Sequence, residues 1–207
     1  MATNPILIGI TGNIGSGKSK FCHFLREAGV PVVFADDVAQ EQLALPATLK
    51  QLVRRWGPDV AKGGKADRAK IAGIVFQNKQ ELDFLNSVIH PGTLVALQKI
   101  VEESEEKYIF FEVPLLFEAG LQNCFDFVVL VRASRQKRLQ RLTKGGKAKA
   151  AEMEARMDAQ IDDTGKIPLC DLVVDNDGTP AALKKQAEAL IERLPRIKQK
   201  DKIPFST

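Results

Sequence analysis

The chain has 207 residues, of which 44% are apolar and 27% charged, with a formal net charge of +4. These values are typical of a soluble globular protein with one domain, or one domain and a small insertion. A membrane-spanning or secreted protein is disfavoured, because no apolar run approaches the roughly 20 residues that cross a bilayer and no signal peptide opens the chain. The three cysteines are far apart and form no metal-binding cluster, which favours a reduced cytoplasmic setting.

The first 34 residues predict a strand, a helix and a second strand. Residues 5–11 are a short apolar run that ends in glycine-rich sequence, as in a central parallel strand buried on both faces. Apolar residues then recur at helical spacing from Phe21 to Ala28, Gly29 ends that helix, and residues 30–34 form the next strand. This order is a βαβ unit.

The rest of the chain continues the alternation of helices and strands. Residues 36–103 are mostly helical by pattern, with breaks at Pro46, Gly57-Pro58, Gly63-Gly64 and Pro91-Gly92. Further strands are predicted at 108–111, 127–131 and 172–174, and helices at about 134–143, at about 149–161 and after the N-cap Thr179. We therefore predict an α/β fold, a parallel sheet with helices on both faces. The single domain spans 1–195, with a helical insertion at about 36–103 and a lid at about 134–161, and a basic, solvated tail follows at 196–207.

Residues 12–19 read Gly-Asn-Ile-Gly-Ser-Gly-Lys-Ser, which fits the phosphate-binding loop (P-loop) pattern. The glycines let backbone N–H groups approach phosphate oxygens, and the following helix directs its N-terminal dipole at the same anion. Lys18 would reach the β- and γ-phosphates, and the Ser19 hydroxyl would ligate Mg²⁺. The loop lies between a strand and an amphipathic helix, as this mechanism requires, and it predicts ATP binding.

Other motifs narrow the class of P-loop protein. A GTPase should carry Asn-Lys-x-Asp after a strand, but residues 78–81 read Asn-Lys-Gln-Glu within helical sequence. A transporter-type ATPase should carry Leu-Ser-Gly-Gly-Gln, which this sequence lacks. The short chain and the long helical insertion favour a small-molecule kinase.

The order of motifs along residues 5–195 resembles the dephospho-CoA kinase family. The resemblance is carried by residues 9–19, Phe34-Ala-Asp-Asp37, Asp67-Arg68, Val75-Phe76, Leu85-Asn86, Ile89-His90-Pro91, residues 113–118, Phe125-Asp126, Arg156 with Gln160, and residues 176–179. It implies transfer of the γ-phosphoryl group of ATP to the ribose 3′-hydroxyl of dephospho-CoA, the last step of coenzyme A synthesis. It also implies Mg²⁺ as the metal and dephospho-CoA as the small-molecule partner, whereas no membrane or nucleic-acid partner is expected.

On the nucleotide side, the candidate ATP-binding residues are Gly12, Asn13, Ile14, Gly15, Ser16, Gly17, Lys18, Ser19, Lys20 and Asn176. Asn176 lies in the last strand-to-helix loop, where it would hydrogen-bond adenine. Arg135, Arg138 and Arg141 recur on one helix and predict a basic lid over ATP, with Gly145-Gly146 as its hinge. Arg141 matches the family's first lid arginine, and Lys144 replaces the second, so lid closure should be weaker. The candidate catalytic residues are Asp36, Lys18 and Arg141.

On the acceptor side, Asp36 follows a strand at the edge of the sheet where ligands bind, and the family pattern assigns it the role of base. Phe34 replaces the first acid of the family's Asp-Ala-Asp, so any help from that acid is absent. Glu112 ends the strand at 108–111 and is a candidate for approaching the metal through water. The candidate acceptor-binding residues are Asp36, Arg68, His90, Leu115, Arg156 and Gln160, in which the two arginines would hold phosphates.

Two alternatives stay open at this point. A kinase for another nucleoside or nucleotide acceptor would share the fold and ATP, and would differ only at residues 36–120. A nucleotide-dependent regulatory or nucleic-acid-binding protein is the second, because residues 127–151 hold eight Lys or Arg and no acid. No aromatic residue interleaves with these cations, which disfavours nucleic acid. We expect a monomer and leave self-association open.

Overall fold

The computed structural model describes residues 4–76, 78–144 and 150–205. The chain divides into two compact units. The sheet unit holds the chain up to Phe34 and then Glu103–Pro204, and the helical unit holds Ala35–Glu102 together with Phe205. Across the described residues, no helix has the length and apolar character that crossing a bilayer needs.

Most of the described strands are separated in sequence by helices. The strands are β1 (Ile6–Thr11), β2 (Val32–Phe34), β3 (Ala61–Lys62), β4 (Lys65–Ala66), β5 (Tyr108–Glu112), β6 (Phe127–Arg132) and β7 (Leu172–Asp175). The helices are α1 (Lys18–Glu27), α2 (Ala35–Gln42), α3 (Pro46–Trp56), α4 (Arg68–Val75), α5 (Lys79–Glu103), α6 (Arg135–Thr143), α7 (Ala150–Asp158), α8 (Asp163–Lys166) and α9 (Pro180–Arg193). Short 3₁₀ turns lie at Pro58–Val60, Leu121–Cys124, Ile167–Leu169 and Leu194–Arg196.

The sheet unit is built on a five-stranded parallel sheet in the order β2-β5-β1-β6-β7. Ile8 of β1 is in register with Phe110 of β5 and with Phe127 of β6, so β1 lies at the centre. Both neighbours of β1 come from distant parts of the chain, and the loop after β1 therefore emerges at a switch point of the sheet. The predicted α/β fold with a parallel sheet flanked by helices is confirmed.

Both faces of the sheet are buried, which explains the continuous apolar runs of its strands. One face packs against α1 and α9, where Phe21, Leu25 and Leu190 join strand residues in a single apolar cluster. On the other side of β1, a methyl group at Gly9 would overlap the side chains of Leu116 and Phe125. The tight packing around β1 fixes the position at which the P-loop begins.

The helical unit has its own apolar core, which contains Leu52, Val60 and Ile71. The predicted break at Pro91-Gly92 is wrong, because α5 runs without interruption from Lys79 to Glu103. Proline removes one helical hydrogen bond, but α5 buries a stripe that includes Ile89 and Thr93, and this burial offsets the loss. The Gly63-Gly64 break is the turn of the β3–β4 hairpin.

The basic tail packs on the sheet unit instead of being solvated. Ile197 is buried, and Lys202 Nζ lies 2.6 Å from Asp126 Oδ2. Asp126 is fully buried at the start of β6, where a carboxylate needs a counter charge and hydrogen-bond donors. Lys200 forms a second ion pair, in which its Nζ lies 2.9 Å from Asp171 Oδ1. The expectation of a solvated tail is therefore wrong for the described part, because these cations neutralise acids at the amino ends of β6 and β7.

Candidate functional site

The P-loop connects the end of β1 to the start of α1. Lys18 is the first residue of α1, and Gly17 before it is in the left-handed region with φ 93°. No side chain within the described ranges caps this helix end, so its first N–H groups are available to an anion. Inside the loop, the Ser16 N–H donates to the Asn13 carbonyl at 3.0 Å. The predicted strand, loop and helix are thus all present in the order that phosphate binding requires.

The glycine at position 17 has a specific steric role. A methyl group there would overlap Asn176 Nδ2, besides straining a left-handed backbone. Asn176 uses that amide to donate to the Ser16 carbonyl at 2.7 Å, and its side chain is buried. Gly17 therefore gives the side chain of Asn176 access to the P-loop backbone.

Arg141 also holds the P-loop. Its Nη1 donates to the carbonyls of Gly15 and Ser16, both at 3.1 Å, and its Nη2 donates to the Asn176 carbonyl at 2.5 Å. These bonds fix the backbone of the loop. The Ile14 and Ser16 N–H groups are already bonded to Gln160 and Asn13, so an anion would bind the other N–H groups of the loop. Arg141 and Asn176 were predicted to contact ATP directly, and the structure places both as supports of the P-loop; direct contacts with ATP stay predictions.

A buried carboxylate lies beside the P-loop hydroxyl. Glu112 ends β5, is 5% exposed, and accepts a hydrogen bond from Ser19 Oγ at 2.8 Å. Burial raises the pKa of the Cys22 thiol, and the charge of Glu112 and a hydrogen bond to it raise that pKa further. The contact with Ser19, the predicted metal ligand, is consistent with the predicted place of Glu112 near the metal.

The tip of the P-loop is held by residues that follow α7. Gln160 Oε1 accepts a hydrogen bond from the Ile14 N–H at 2.7 Å, and Asn13 Nδ2 donates to the Ile161 carbonyl at 3.1 Å. Gln160 was predicted to bind the acceptor, and the structure shows it bonded to the nucleotide loop; contact with the acceptor stays a prediction. Lys166 also reaches Asn13, at 2.7 Å. Sequence reasoning missed Lys166, because nothing in its neighbourhood distinguishes it from a surface lysine.

A cavity of about 460 Å³ adjoins the P-loop in the sheet unit. Its lining is rich in cations, which suits a polyphosphate. The lining residues are Gly17, Lys20, Lys137, Gln140, Arg141, Lys144, Asn176, Gly178, Pro180 and Leu183. Three predicted ATP-binding residues (Gly17, Lys20 and Asn176) and the predicted catalytic Arg141 thus meet at one cavity.

A wider depression of about 690 Å³ lies at the other end of the strands, beside Phe127 and Asp171. Two of its carboxylates are already bound, since Asp171 and Asp126 accept from Lys200 and Lys202. It is remote from the P-loop motif, and we do not assign it to nucleotide binding.

The three arginines of the predicted lid have different environments along α6. Arg135 is exposed and pairs with Asp158 at 2.7 Å, whereas Arg138 is 4% exposed and Arg141 binds the P-loop. The Nε and Nη1 atoms of Arg138 have no partner within the described residues. Burial raises the pKa of the Asp163 carboxyl, and the charge of Arg138 opposes that rise. The predicted hinge at Gly145-Gly146 lies outside the described residues.

Two predicted acceptor-binding residues of the sheet unit face different surroundings. Leu115, which follows β5, is 49% exposed. Arg156 Nη2 pairs with Glu152 Oε1 at 3.0 Å, one helical turn earlier on α7. Roles for both in acceptor binding stay predictions.

The helical unit carries the other acceptor candidates. Asp36 is exposed in the first turn of α2, and Gln40 lies four residues later on the same helical face. Arg68 Nη1 donates to Gln40 Oε1 at 2.6 Å, which joins the start of α4 to the face that carries Asp36. His90 is exposed on α5. Two residues later on the same helix, Gly92 packs against the side chain of Gln42 from α2. Helices α4 and α5 both contact α2. The three helices that carry Asp36, Arg68 and His90 are therefore neighbours.

These features define the class of protein. A parallel sheet with a P-loop after its central strand, and an acid at the end of the neighbouring strand, is the architecture of a P-loop nucleotide-binding protein.

Comparisons with known proteins give the family. The family model of dephospho-CoA kinase matches residues 6–182. A dephospho-CoA kinase from Geobacillus kaustophilus is 34% identical over 194 residues, which cover 91% of this chain and 96% of that protein. Two solved structures are similar: TT1252 from Thermus thermophilus (32% identity, TM-score 0.78, 93% of this chain and 99% of that one) and a dephospho-CoA kinase from Campylobacter jejuni (25%, 0.69, 92% and 97%). The chain belongs to the dephospho-CoA kinase family.

Membership confirms three predictions made from the sequence. The chain is a phosphotransferase that acts on a hydroxyl group, its family phosphorylates dephospho-CoA in coenzyme A biosynthesis, and its fold is that of P-loop kinases. The roles of single residues stay predictions.

Proposed function

We propose that this chain transfers the γ-phosphoryl group of ATP to the ribose 3′-hydroxyl of dephospho-CoA, with the P-loop holding the nucleotide. One observation carries the proposal: Arg141 and Asn176 bind the carbonyls of Gly15 and Ser16, and so fix the backbone of a loop that has the P-loop sequence. A loop fixed in this way is preorganised for an anion, and little reorganisation accompanies binding.

On the nucleotide side, the N–H groups of Gly15, Gly17, Lys18 and Ser19 and the Lys18 ammonium would bind the β- and γ-phosphates. The cations of the neighbouring cavity, among them Lys20 and Arg141, would neutralise charge on the remaining phosphates. Phosphoryl transfer has a loose transition state, in which catalysis is mainly positioning and charge stabilisation. Lys18 is therefore the residue that we expect to stabilise the transferring group most.

The residues beside the loop fit a magnesium ion. Mg²⁺ prefers hard oxygen ligands, and the Ser19 hydroxyl and the Glu112 carboxylate lie within 2.8 Å of each other. Ser19 would bind the ion directly, and Glu112 would hold it through ordered water. When bound, Mg²⁺ supplies positive charge to the β- and γ-phosphate oxygens.

On the acceptor side, Asp36 would accept a hydrogen bond from the 3′-hydroxyl and take its proton. Its exposure leaves the carboxylate accessible to substrate. Arg68 and Arg156 would bind phosphate oxygens of the acceptor, since a guanidinium binds oxyanions through two parallel N–H groups. His90, Leu115 and Gln160 would complete the acceptor site, with Leu115 providing an apolar contact.

The test is a coupled assay of ADP release with Mg·ATP, with and without dephospho-CoA, in which the product is identified by mass. We expect ADP to appear only with dephospho-CoA, together with a product heavier by one phosphoryl group. Phosphorylation of 3′-deoxy dephospho-CoA at another hydroxyl would contradict the proposed site of transfer.

Two other results would redirect the proposal. Turnover with a different nucleoside and none with dephospho-CoA would indicate another acceptor. Salt-sensitive binding to RNA without any transfer would indicate a regulatory protein. The structure gives the reading as a nucleic-acid-binding protein little support, because Arg138 of residues 127–151 is buried and Arg141 binds the P-loop.

A further inference from the structure

Lys166, the last residue of α8, is a charged side chain with no exposed surface. Removing an ammonium group from water costs several kcal/mol unless a counter charge and hydrogen-bond acceptors replace the water. The roles proposed above do not use this lysine. Its partners therefore indicate what it does.

The partners of Lys166 form a closed ring. Lys166 Nζ donates to Asn13 Oδ1 at 2.7 Å and to Glu118 Oε1 at 2.8 Å. Asn13 Nδ2 donates to the Ile161 carbonyl at 3.1 Å, and the Ile161 N–H donates to the same Glu118 oxygen at 3.3 Å. We call these four residues (Asn13, Glu118, Ile161 and Lys166) the tip clamp.

The ring fixes the orientation of the Asn13 amide. An ammonium can only donate and a carbonyl can only accept, so Oδ1 must face Lys166 and Nδ2 must face Ile161. The side chain of Asn13 is consequently occupied, and 1% of its residue surface is exposed. Next to it, the Ile14 N–H is bound by Gln160. The tip of the P-loop is thus held on the side away from Arg141 and Asn176.

We propose that Lys166 is a positioning residue that sets the conformation of the P-loop tip through Asn13, and that Glu118 serves as its counter charge. The tip clamp joins the tip to the segment after α7 and to the loop after β5. In a reaction that depends on alignment, a small displacement of the loop lowers the rate more than it lowers affinity, and 1 Å can cost about 10²-fold. Lys166 acts on the phosphates only through Asn13.

The first test is amide hydrogen exchange of residues 13–16 in the full chain without nucleotide, which does not depend on the proposed function. Lys166→Met removes the charge and keeps the length of the side chain, and Lys184→Met on the exposed side of α9 is the matched control. We expect exchange at residues 13–16 to become about tenfold faster in Lys166→Met and to stay unchanged in the control. Equal exchange in the two variants would overturn the proposal.

The second test is kinetic and rests on the proposed function. Lys166→Met should lower kcat by about 10- to 100-fold while KM for ATP changes less than about threefold, because Lys18 and the amides after Gly15 still bind phosphate. In an Asn13→Ala background, Lys166→Met should cost little more. Lys166 would be only structural if its substitution lowered kcat by the same factor in the Asn13→Ala background as in wild type. The same conclusion would follow if KM for ATP rose by as large a factor as kcat fell.

If Lys166→Met does not fold, the double variant Lys166→Met/Glu118→Gln tests the same ring. It removes both charges and glutamine keeps an acceptor for Ile161, so no buried ammonium is left without a counter charge. Faster exchange at residues 13–16 is expected in this variant too, and its absence would again overturn the proposal. A chain that binds ATP and shows the exchange effect but does not phosphorylate dephospho-CoA would contradict the proposed function alone.

Discussion

The two units hold their candidate residues in different ways. In the sheet unit, the P-loop is bound by side chains from distant parts of the chain, among them Arg141, Gln160 and Asn176. In the helical unit, Asp36 and His90 are exposed, and Arg68 is held by a hydrogen bond to Gln40 on the surface. The P-loop backbone is therefore fixed in advance, whereas Asp36, Arg68 and His90 of the helical unit lie at the surface.

This difference indicates where substitutions should act. A change at Arg141 or Asn176, which hold the P-loop directly, disturbs a buried polar network and should affect both nucleotide binding and catalysis. A change at an exposed acceptor residue should affect acceptor binding or turnover and leave ATP binding unchanged. Four substitutions in the two units test this difference, beginning with the one that should act most strongly.

Lys18→Ala should lower the rate of transfer by about 10³-fold, because it removes the cation that faces the transferring phosphoryl group. Lys18 is half-buried at the start of α1 and belongs to no apolar core, so the melting temperature should stay within a few degrees of wild type. Single-turnover kinetics and thermal unfolding measure the two effects. Lys185→Ala, on the exposed face of α9, is the control, and wild-type turnover by Lys18→Ala would refute the P-loop assignment.

Asp36→Asn should lower kcat by about 10²-fold with little change in affinity for ATP, because the amide can still orient a hydroxyl but cannot take its proton. Steady-state kinetics and calorimetric titration with ATP separate the two quantities. Asp37→Asn is a matched control, since Asp37 is an exposed neighbour in the same first turn of α2. If the affinity for ATP falls as much as kcat, Asp36 is a metal-binding or structural residue instead.

Gly17→Ala should weaken ATP binding by about tenfold and lower the free energy of unfolding by about 1–2 kcal/mol. The first effect comes from the overlap with Asn176, and the second from the left-handed backbone. Gly29→Ala separates them, because Gly29 is also left-handed, with φ 83°, but has open space around it. Calorimetry should show weaker binding only in Gly17→Ala. Denaturant unfolding should show a larger destabilisation in Gly17→Ala than in Gly29→Ala, because the overlap also disturbs the buried Asn176 amide.

The smallest effect concerns the helical unit and its pH dependence. A hydrogen bond from Arg55 and a second one from Trp56 lower the pKa of Glu81 below its ordinary value of 4.5. The stabilisation is therefore fully present above pH 4.5 and is lost as the pH falls through the lowered pKa.

Trp56 is the only tryptophan of the chain, and its Nε1 donates to Glu81 Oε2 at 2.6 Å, so its fluorescence reports this contact. On acidification, wild type should show a fluorescence change below pH 4.5 that Glu81→Gln lacks. The transfer activity of Glu81→Gln at pH 7 should stay within about twofold of wild type. An identical acid titration in the two proteins would show that Glu81 does not control the environment of Trp56.

The parts of this structure that sequence analysis predicted are those with a local cause. The P-loop follows from glycine conformation and helix termini, and the Thr179 cap with Pro180 at the first helical position is present as predicted. The uninterrupted α5 was missed, because burial along its length outweighs a local signal from Pro91. The ordered tail and the buried Lys166 were missed because Asp126 and Asn13, their partners, are distant in sequence.

The supports of the P-loop illustrate the same limit. Asn176 and Arg141 were selected from the sequence as residues near the nucleotide, yet their hydrogen bonds to loop carbonyls span 160 and 126 residues respectively. A motif identifies the residue types that a site needs. It does not say which of them touch ligand and which hold the backbone, since that depends on tertiary packing.

The strand order has a consequence for synthesis on the ribosome. β1 leaves the exit tunnel early, but its two neighbours β5 and β6 are translated about a hundred residues later. During that interval the apolar strand β1 has both hydrogen-bonding edges open, which is the condition that favours aggregation. The intervening Ala35–Glu102 segment is contiguous and has its own core, so it can fold before β1 is paired. Slow elongation between the codons for residues 35 and 112 should therefore lower the yield of soluble protein, and a chaperone that shields nascent β1 should restore it.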